Sequence, residues 1–413
     1  MVNHLIQRFR KVRDLSVSLV ATLSDADATP QSMPDASPAK WHLAHTTWFF
    51  ETFVLRDHLD GYRLFSGDWP FLFNSYYEAE GARHARPQRG LLTRPSLAEV
   101  KAYRAHVDQA LVDVLPDLAG TCGDLIELGL HHEEQHQELL LTDLKHLFWC
   151  NPLGPQVWAA EPGVPAQAIA PIRWLDGPVG LVEIGADETE FAFDCERPVH
   201  RHYLAPYALA DRTITNGEWI AFMDAGGYST ARLWLDDGWS WVNSHGVDSP
   251  LYWRSGHDGW EHFTLAGWQA VDLAAPVAHV SFFEADAYAR WADARLPTEQ
   301  EWEAFARHFD PSAGNQLDSA RAIAPRPSAG GGGAAEVFGN VWEWTGSAYR
   351  PYPGFKIAEG AVGEYNGKFM NGLFVLKGGS CATPRGHLRA SYRNFFAPEK
   401  RWQFTGLRLA RSL

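Results

Sequence analysis

The stretch LGLHHEEQHQELLL, residues 128–141, decides how the first part of this chain folds. His132 and His136 are four residues apart, so on a helix they project from one face about a turn apart and can ligate one ion. The same face continues through Leu139, Leu140 and Leu147, which turns it toward an interior. A lone buried histidine is more often a satisfied core residue than a ligand, but two at this spacing on an inward face reverse that reading.

The letters His132-Glu133-Glu134-Gln135-His136 also spell H-E-x-x-H, the zinc-protease pattern in which the glutamate is the general base. Against it, no G-x-x-H follows at the metzincin spacing, and the chain enters a proline-rich stretch before a good downstream glutamate ligand. A third ligand then has to come from another inward helical face. His45 shares its face with Trp41, Trp48 and Phe49 and is the candidate, whereas His42 reads as structural or surface. Three neutral imidazoles suit iron, zinc, copper or nickel about equally, so ligand identity does not choose the metal.

Working outward, three more helical stripes surround this segment, itself read as a helix from about Asp124 to Trp149. Leu5, Phe9, Val12, Leu19 and Leu23 share one face. A second helix opens at Ser37-Pro38, a cap followed by the proline a first turn tolerates, and runs through WHLAHTTWFFETFVL. A third starts at Ser96 with Glu99 as a capping box and continues through Val100, Tyr103, Val107, Leu111 and Val114. Four stripes imply a bundle over residues 1–150. The irregular stretch from about Asp60 to Pro95 inside it is long enough to be functional.

Residues 151–171, rich in Pro, Ala and Gly, read as a linker to a second domain, 172–413. There tryptophan, glycine and short alternating segments dominate, with helices near Phe283 to Ala294 and after Pro297, an α+β pattern. The run Gly330 to Gly333 reads as a flexible surface loop, too featureless to cradle phosphate.

At 413 residues the chain fits two domains, and 46% hydrophobic with 21% charged residues describes a soluble globular protein. A formal charge of −14 offers no basic field to nucleic acid or anionic lipid, so small-molecule partners are expected. Cys122, Cys150, Cys195 and Cys381 are far apart, as in a cytoplasmic protein with reduced thiols. The N-terminus lacks the continuous apolar core of a signal peptide and reads as a helix, and no run of 18 apolar residues suggests a membrane span.

The order LAH (Leu43, Ala44, His45), then HEEQHQE, then LPTEQEWE (Leu296 to Glu303), GNVWEWT (Gly339 to Thr345), LKGGS and RASYRNFF resembles the EgtB-type sulfoxide synthases of ergothioneine biosynthesis. The likeness covers nearly the whole chain. Its first part is similar to the DinB-type four-helix bundle and its second to the formylglycine-generating enzyme, a C-type-lectin-like α+β fold. The resemblance implies a nonheme iron(II) enzyme that uses O2 to join a thiol sulfur to the imidazole carbon of hercynine, with Fe(II) held by His45, His132 and His136 at the domain junction. One site would gather the reactants and acidify the thiol.

It also implies a tyrosine that supplies a proton or hydrogen atom and so suppresses simple thiol dioxygenation. FNSYY offers Tyr77, with Tyr76 beside it; either could instead merely pack under its loop. Gln135 matches a family position near the bound imidazole. Arg83, Arg86 and Arg89 recur every three residues; alone they read as a solvated basic loop, but with the likeness Arg86 and then Arg89 are expected to clamp the donor's carboxylate. Tyr392-Arg393-Asn394-Phe395-Phe396 matches the segment closing over hercynine, with Asn394 as a polar contact and an aromatic wall, including Phe395 and Phe396, for the trimethylammonium.

The branch that uses γ-glutamylcysteine has an acidic residue where Phe396 stands, so the smaller cysteine is the expected donor. The alternative within the family is a selenoneine synthase taking a selenosugar. Formylglycine-generating activity is disfavoured because Cys381 has no cysteine near it in sequence to form the pair that enzyme needs. A lectin-like binding module on a metal-stabilised bundle is the remaining, non-enzymatic alternative.

Overall fold

A computed structural model describes residues 2–161, 169–328, 334, 336–358, 363 and 366–413. Residues 162–168 of the expected linker and the loop expected at Gly330–Gly333 lie outside them. The chain divides into two compact units, the first built mainly from Met1–Ala159, the second from Ala160–Leu317 and most of the chain that follows.

The first unit is helical. Helix α1, Val2–Leu19, buries Phe9, Val12 and Leu19. Helix α2, Ala39–Phe50, is buried at every residue, the polar Lys40, His42, His45, Thr46 and Thr47 included, and so presents no stripe to solvent. It passes into a wider π-helical turn at Glu51–Arg56. Ser37 does not cap it: the Ser37 N–H donates to the Asp143 carboxylate and its hydroxyl accepts from Arg89, so helix geometry starts after Pro38. Helix α3, Leu97–Cys150, begins with the expected Ser96–Glu99 capping box.

Two helices were expected where α3 stands. A straight helix of this rise would separate residues 104 and 133 by about 43 Å. Yet Arg104 donates to the Glu133 carboxylate, and Arg13 of α1 donates to both Asp108 and Glu133. The helix therefore doubles back between them, in the stretch holding Pro116, Gly120 and Gly123, where a missing N–H and two residues without Cβ weaken an unbroken helix. Its two limbs with α1 and α2 make the four-helix bundle, and the reversal needs no loop. Between α2 and α3, the helical turn Trp69–Phe73 is tied to α2 by the Trp41 indole N–H donating to the Leu72 carbonyl, 3.1 Å.

The second unit is mixed. Its strands are β1 (Trp174–Asp176), β2 (Gly180–Ile184), β3 (His200–Leu204), β4 (Tyr207–Ala210), β5 (Trp253–Ser255), β6 (Trp260–Thr264), β7 (Gly267–Ala270), β8 (Trp342–Ala348), β9 (Phe374–Lys377), β10 (Asn394–Phe396), β11 (Thr405–Gly406) and β12 (Ala410–Ser412). They form sheets ordered β1-β4-β12, β10-β9-β8-β11, β2-β3 and β5-β6-β7, antiparallel except for the β8–β11 pair. The two helices expected there appear as Phe282–Trp291 and Glu299–Ala306, and Asn216–Asp224 and Asp236–His245 add two more.

The motifs of this unit interlock through buried polar pairs. In LPTEQEWE, Glu299 accepts from Arg393 of RASYRNFF, Trp302 donates to Glu343 of GNVWEWT, and Glu303 pairs with Lys377 of LKGGS at 3.2 Å. Each pair satisfies a charge or donor that burial would otherwise make costly, which explains why polar residues sit inside these motifs.

Candidate metal centre

His45 comes from α2, and His132 and His136 from the second limb of α3. All three are buried, and one ligand nitrogen from each lies within 4.8 Å of the others. Ring centroids are 5.0, 4.8 and 4.7 Å apart for the pairs 45–132, 45–136 and 132–136. Burial holds all three imidazoles neutral: His132 is pushed down to about 4, and His45 and His136 well below the usual value, helped by the neighbouring histidines. Neutral imidazole is the form that binds metal, so the donor set fits a borderline ion such as iron(II) or zinc.

The surroundings orient the rings. His45 Nδ1 lies 2.6 Å from the Phe73 carbonyl, which can only accept, so that nitrogen carries the proton and Nε2 is left for a metal. The ring is flanked by Trp41 at 4.6 Å and Trp48 at 5.6 Å, both nearly parallel to it. The Arg89 guanidinium carbon lies 3.4 Å from the Trp41 ring centre, extending the stack. His42, expected to be structural or at the surface, is buried, with its Nδ1 2.9 Å from His136 Nδ1 and its Nε2 3.1 Å from the Asp143 carboxylate. Leu140, four residues after His136, is buried, whereas Leu139 and Leu147 are half-buried.

Glu133, the general base of the protease reading, turns away. Successive helical residues are about 100° apart, and its carboxylate accepts from Arg13, Arg104 and the Ser16 hydroxyl. Burial pushes it up, but the two guanidinium charges and the hydroxyl prevail and hold it down at about 2. A group so placed cannot take a proton near neutral pH.

Of the two candidate tyrosines, Tyr77 is buried against Trp48, Phe49 and Phe53 at 5.4, 6.4 and 5.1 Å. Trp48 also flanks His45, and Phe49 also packs on His132 at 5.1 Å, so Tyr77 shares its walls with two of the three histidines. The Asn74 side chain braces this loop by donating to the Tyr77 carbonyl and accepting from its N–H. The Tyr76 hydroxyl instead accepts from Arg86, which also donates to the Asp35 carbonyl. Arg89 is buried and donates to the hydroxyls of Ser37 and Ser75. Burial, then the charge of Arg86, push it down to about 9. Arg83 is spent on an exposed pair with Glu78. Gln135 is half-buried one residue before His136.

Asn394, Phe395 and Phe396 form β10 of the second unit and are half-buried. Phe395 stacks on Tyr349 at 4.1 Å and faces Phe369 at 5.9 Å, and Phe396 meets Trp402 edge-on at 5.3 Å. The Asn394 side-chain oxygen accepts from the Phe395 N–H. None of the four cysteines is in a disulfide, and no helix among the described residues is long and apolar enough to cross a membrane.

Residues 8–140 match the DinB superfamily and residues 176–413 the sulfatase-modifying factor enzyme 1-like domain. The formylglycine-generating enzyme of Streptomyces coelicolor is 30% identical over 54% of this chain and 82% of its own length. Hercynine oxygenase of Mycobacterium tuberculosis is 35% identical over 94% of this chain and 93% of its own. That of Mycolicibacterium thermoresistibile is 34% identical over 98% and 94%. Likeness of this extent spans both units, and with three buried neutral histidines set for one ion it leads to one conclusion: the chain belongs to the hercynine oxygenase family, of EgtB type, and is an oxidoreductase.

Proposed function

We propose that this protein acts in ergothioneine biosynthesis, using iron(II) and O2 to join the sulfur of cysteine to the imidazole carbon of hercynine as a sulfoxide. The observation that carries this is the trio His45, His132 and His136, buried and neutral in a chain matched almost end to end by hercynine oxygenases. Bound iron(II) would supply the one-electron chemistry that O2 requires and a Lewis acid that makes a thiol more acidic. The atoms balance: one oxygen of O2 ends in the sulfoxide, and the other leaves as water with the thiol and imidazole C–H hydrogens.

The protein's own groups have defined tasks in this reading. Tyr77 is the proton donor, supported by its packing on the aromatics that flank His45 and His132. Arg86 and Arg89 bind the donor carboxylate: Arg86 donates to the Tyr76 hydroxyl and the Asp35 carbonyl and Arg89 to the hydroxyls of Ser37 and Ser75, neutral acceptors that leave each charge uncompensated except for the field of Asp143 at Arg89. That favours an amino-acid thiol over a neutral selenosugar. Within the second unit, Phe395 and Phe396, with Tyr349, Phe369 and Trp402 around them, offer the aromatic surface that a trimethylammonium group favours.

The test is anaerobic iron(II) loading, then O2 and hercynine with cysteine, γ-glutamylcysteine and a selenosugar in parallel, read by mass. Hercynyl-cysteine sulfoxide is expected. A selenium adduct alone would move the protein to selenoneine synthesis, and no O2 uptake with any donor would overturn the enzymatic reading. Tyr77→Phe is expected to slow carbon–sulfur coupling by about 10² or more, the scale of a lost general acid, and to divert cysteine to its sulfinate. An unchanged product ratio would remove Tyr77 from the reaction. Arg89→Met should raise the KM for cysteine roughly 10- to 100-fold, the worth of a lost charge-assisted hydrogen bond, as steady-state kinetics would show.

A further inference from the structure

We propose that Asp143 and His42 form a tautomer relay that dictates which nitrogen of His136 is offered to the metal, making both of them positioning residues of the site; the inference rests on the three-histidine metal centre. Three linked contacts carry it. The Asp143 carboxylate accepts from the Ser37 N–H at 2.8 Å and lies 3.1 Å from His42 Nε2, and His42 Nδ1 lies 2.9 Å from His136 Nδ1. His42, Asp143 and His136 are 3%, 5% and 8% exposed, so bulk water does not compete for these bonds.

The proton positions follow from what each atom can do. The Asp143 oxygen that faces His42 Nε2 already accepts from the Ser37 N–H, so it is placed as an acceptor and the hydrogen on His42 belongs to Nε2. A neutral imidazole with its hydrogen on Nε2 has a lone pair on Nδ1. Two bare nitrogens 2.9 Å apart would repel, so His136 must supply the hydrogen of that contact from its own Nδ1. Nε2 of His136 is then bare. The Phe73 carbonyl imposes the same Nε2-bare tautomer on His45. No proton is gained or lost along the relay; the carboxylate only selects among neutral forms.

The elements explain how the relay is built. Asp143 is seven residues after His136, two turns along the same limb of α3 and on the same side. His42 is three residues before His45 on α2, which places it against that side when the two helices pack. The Ser37 N–H, just before α2, holds the carboxylate in place. Such outer partners of a metal-bound histidine raise its basicity and fix its ring, and their loss typically costs 10- to 100-fold in metal affinity.

The test uses the full-length protein and Co(II), with affinity measured by chelator competition and geometry by the visible d–d bands. His42→Phe keeps an aromatic of similar size but offers His136 no acceptor, and is expected to weaken Co(II) binding by roughly 10- to 100-fold and alter the bands. In His42→Asn the side-chain oxygen can sit near the place of Nδ1, so this variant should recover most of the loss, which a merely space-filling role for His42 would not produce. His136→Ala is the parallel control. If it binds Co(II) as tightly as the wild type, the metal centre itself is wrong; if it loses Co(II) while His42→Phe keeps wild-type affinity and spectrum, the relay alone is overturned.

A measurement on the unmutated protein is independent of folding defects. Histidine side-chain 15N shifts of the Zn(II)-loaded form should show His136 protonated at Nδ1 with Nε2 bound to metal, and His42 protonated at Nε2. A hydrogen on Nδ1 of His42, or metal on Nδ1 of His136, would overturn the proposal.

Discussion

His136→Ala is expected to abolish iron(II) binding and turnover together. The variant removes one of three imidazoles that converge within 4.8 Å and leaves two donors, too few to hold a divalent ion against chelators or water. It also strips His42 of the partner on its Nδ1. The fold should survive, because the neighbouring charges of the bundle are neutralised elsewhere, by Arg13, Arg104 and Glu133. Iron content after anaerobic loading, measured beside far-UV circular dichroism, checks both halves: a folded variant that retains iron and activity would remove His136 from the site.

Glu133→Gln should act on stability rather than on chemistry. Arg13, Arg104 and Glu133 are each 1% exposed, and the single carboxylate neutralises two guanidinium groups with help from Asp108. Removing its charge leaves buried cations uncompensated, at a cost of about 3–5 kcal/mol, readable as a lower urea midpoint. A zinc-protease glutamate would behave in the opposite way, with activity lost and stability kept. The pH dependence has a definite sign. The folded carboxyl titrates at about 2, below an unfolded value of about 4.3. Its contribution is therefore fully present above the unfolded pKa and fades as pH falls toward 2. Wild-type stability should drop through that window, and the variant should show a smaller drop.

The chain's organisation was legible because it rests on short-range rules. The Ser96–Glu99 box opens α3 as read from four letters, and the i,i+4 histidines lie on one buried face because helix geometry leaves no alternative. The helices near Phe283 and after Pro297 were likewise written in caps and periodicity. Ser37 misled because a cap is a competition: Asp143 and Arg89 hold its N–H and hydroxyl, and both come from segments distant in sequence. The gap read between the last two bundle helices is a reversal without a loop, where proline and glycine mimic the composition of one. His42 and Asp143 left weak signals, three residues before His45 and seven after His136, but nothing local says that two helices will bring them together.

The sequence by itself determined the helical first part, the mixed second part, the three histidines that converge and, through motif order, the family, since each is carried by spacing within a segment or by order along the chain. The tertiary structure alone decided that Glu133 faces two arginines and not the metal. It also decided that Tyr77 and Tyr76 part company, one toward the aromatics around His45 and His132, the other toward Arg86, and that a carboxylate reaches His136 through His42. The physical reason is common to all three. Which neighbour a buried polar group meets depends on how helices far apart in the chain pack, and burial makes that neighbour obligatory.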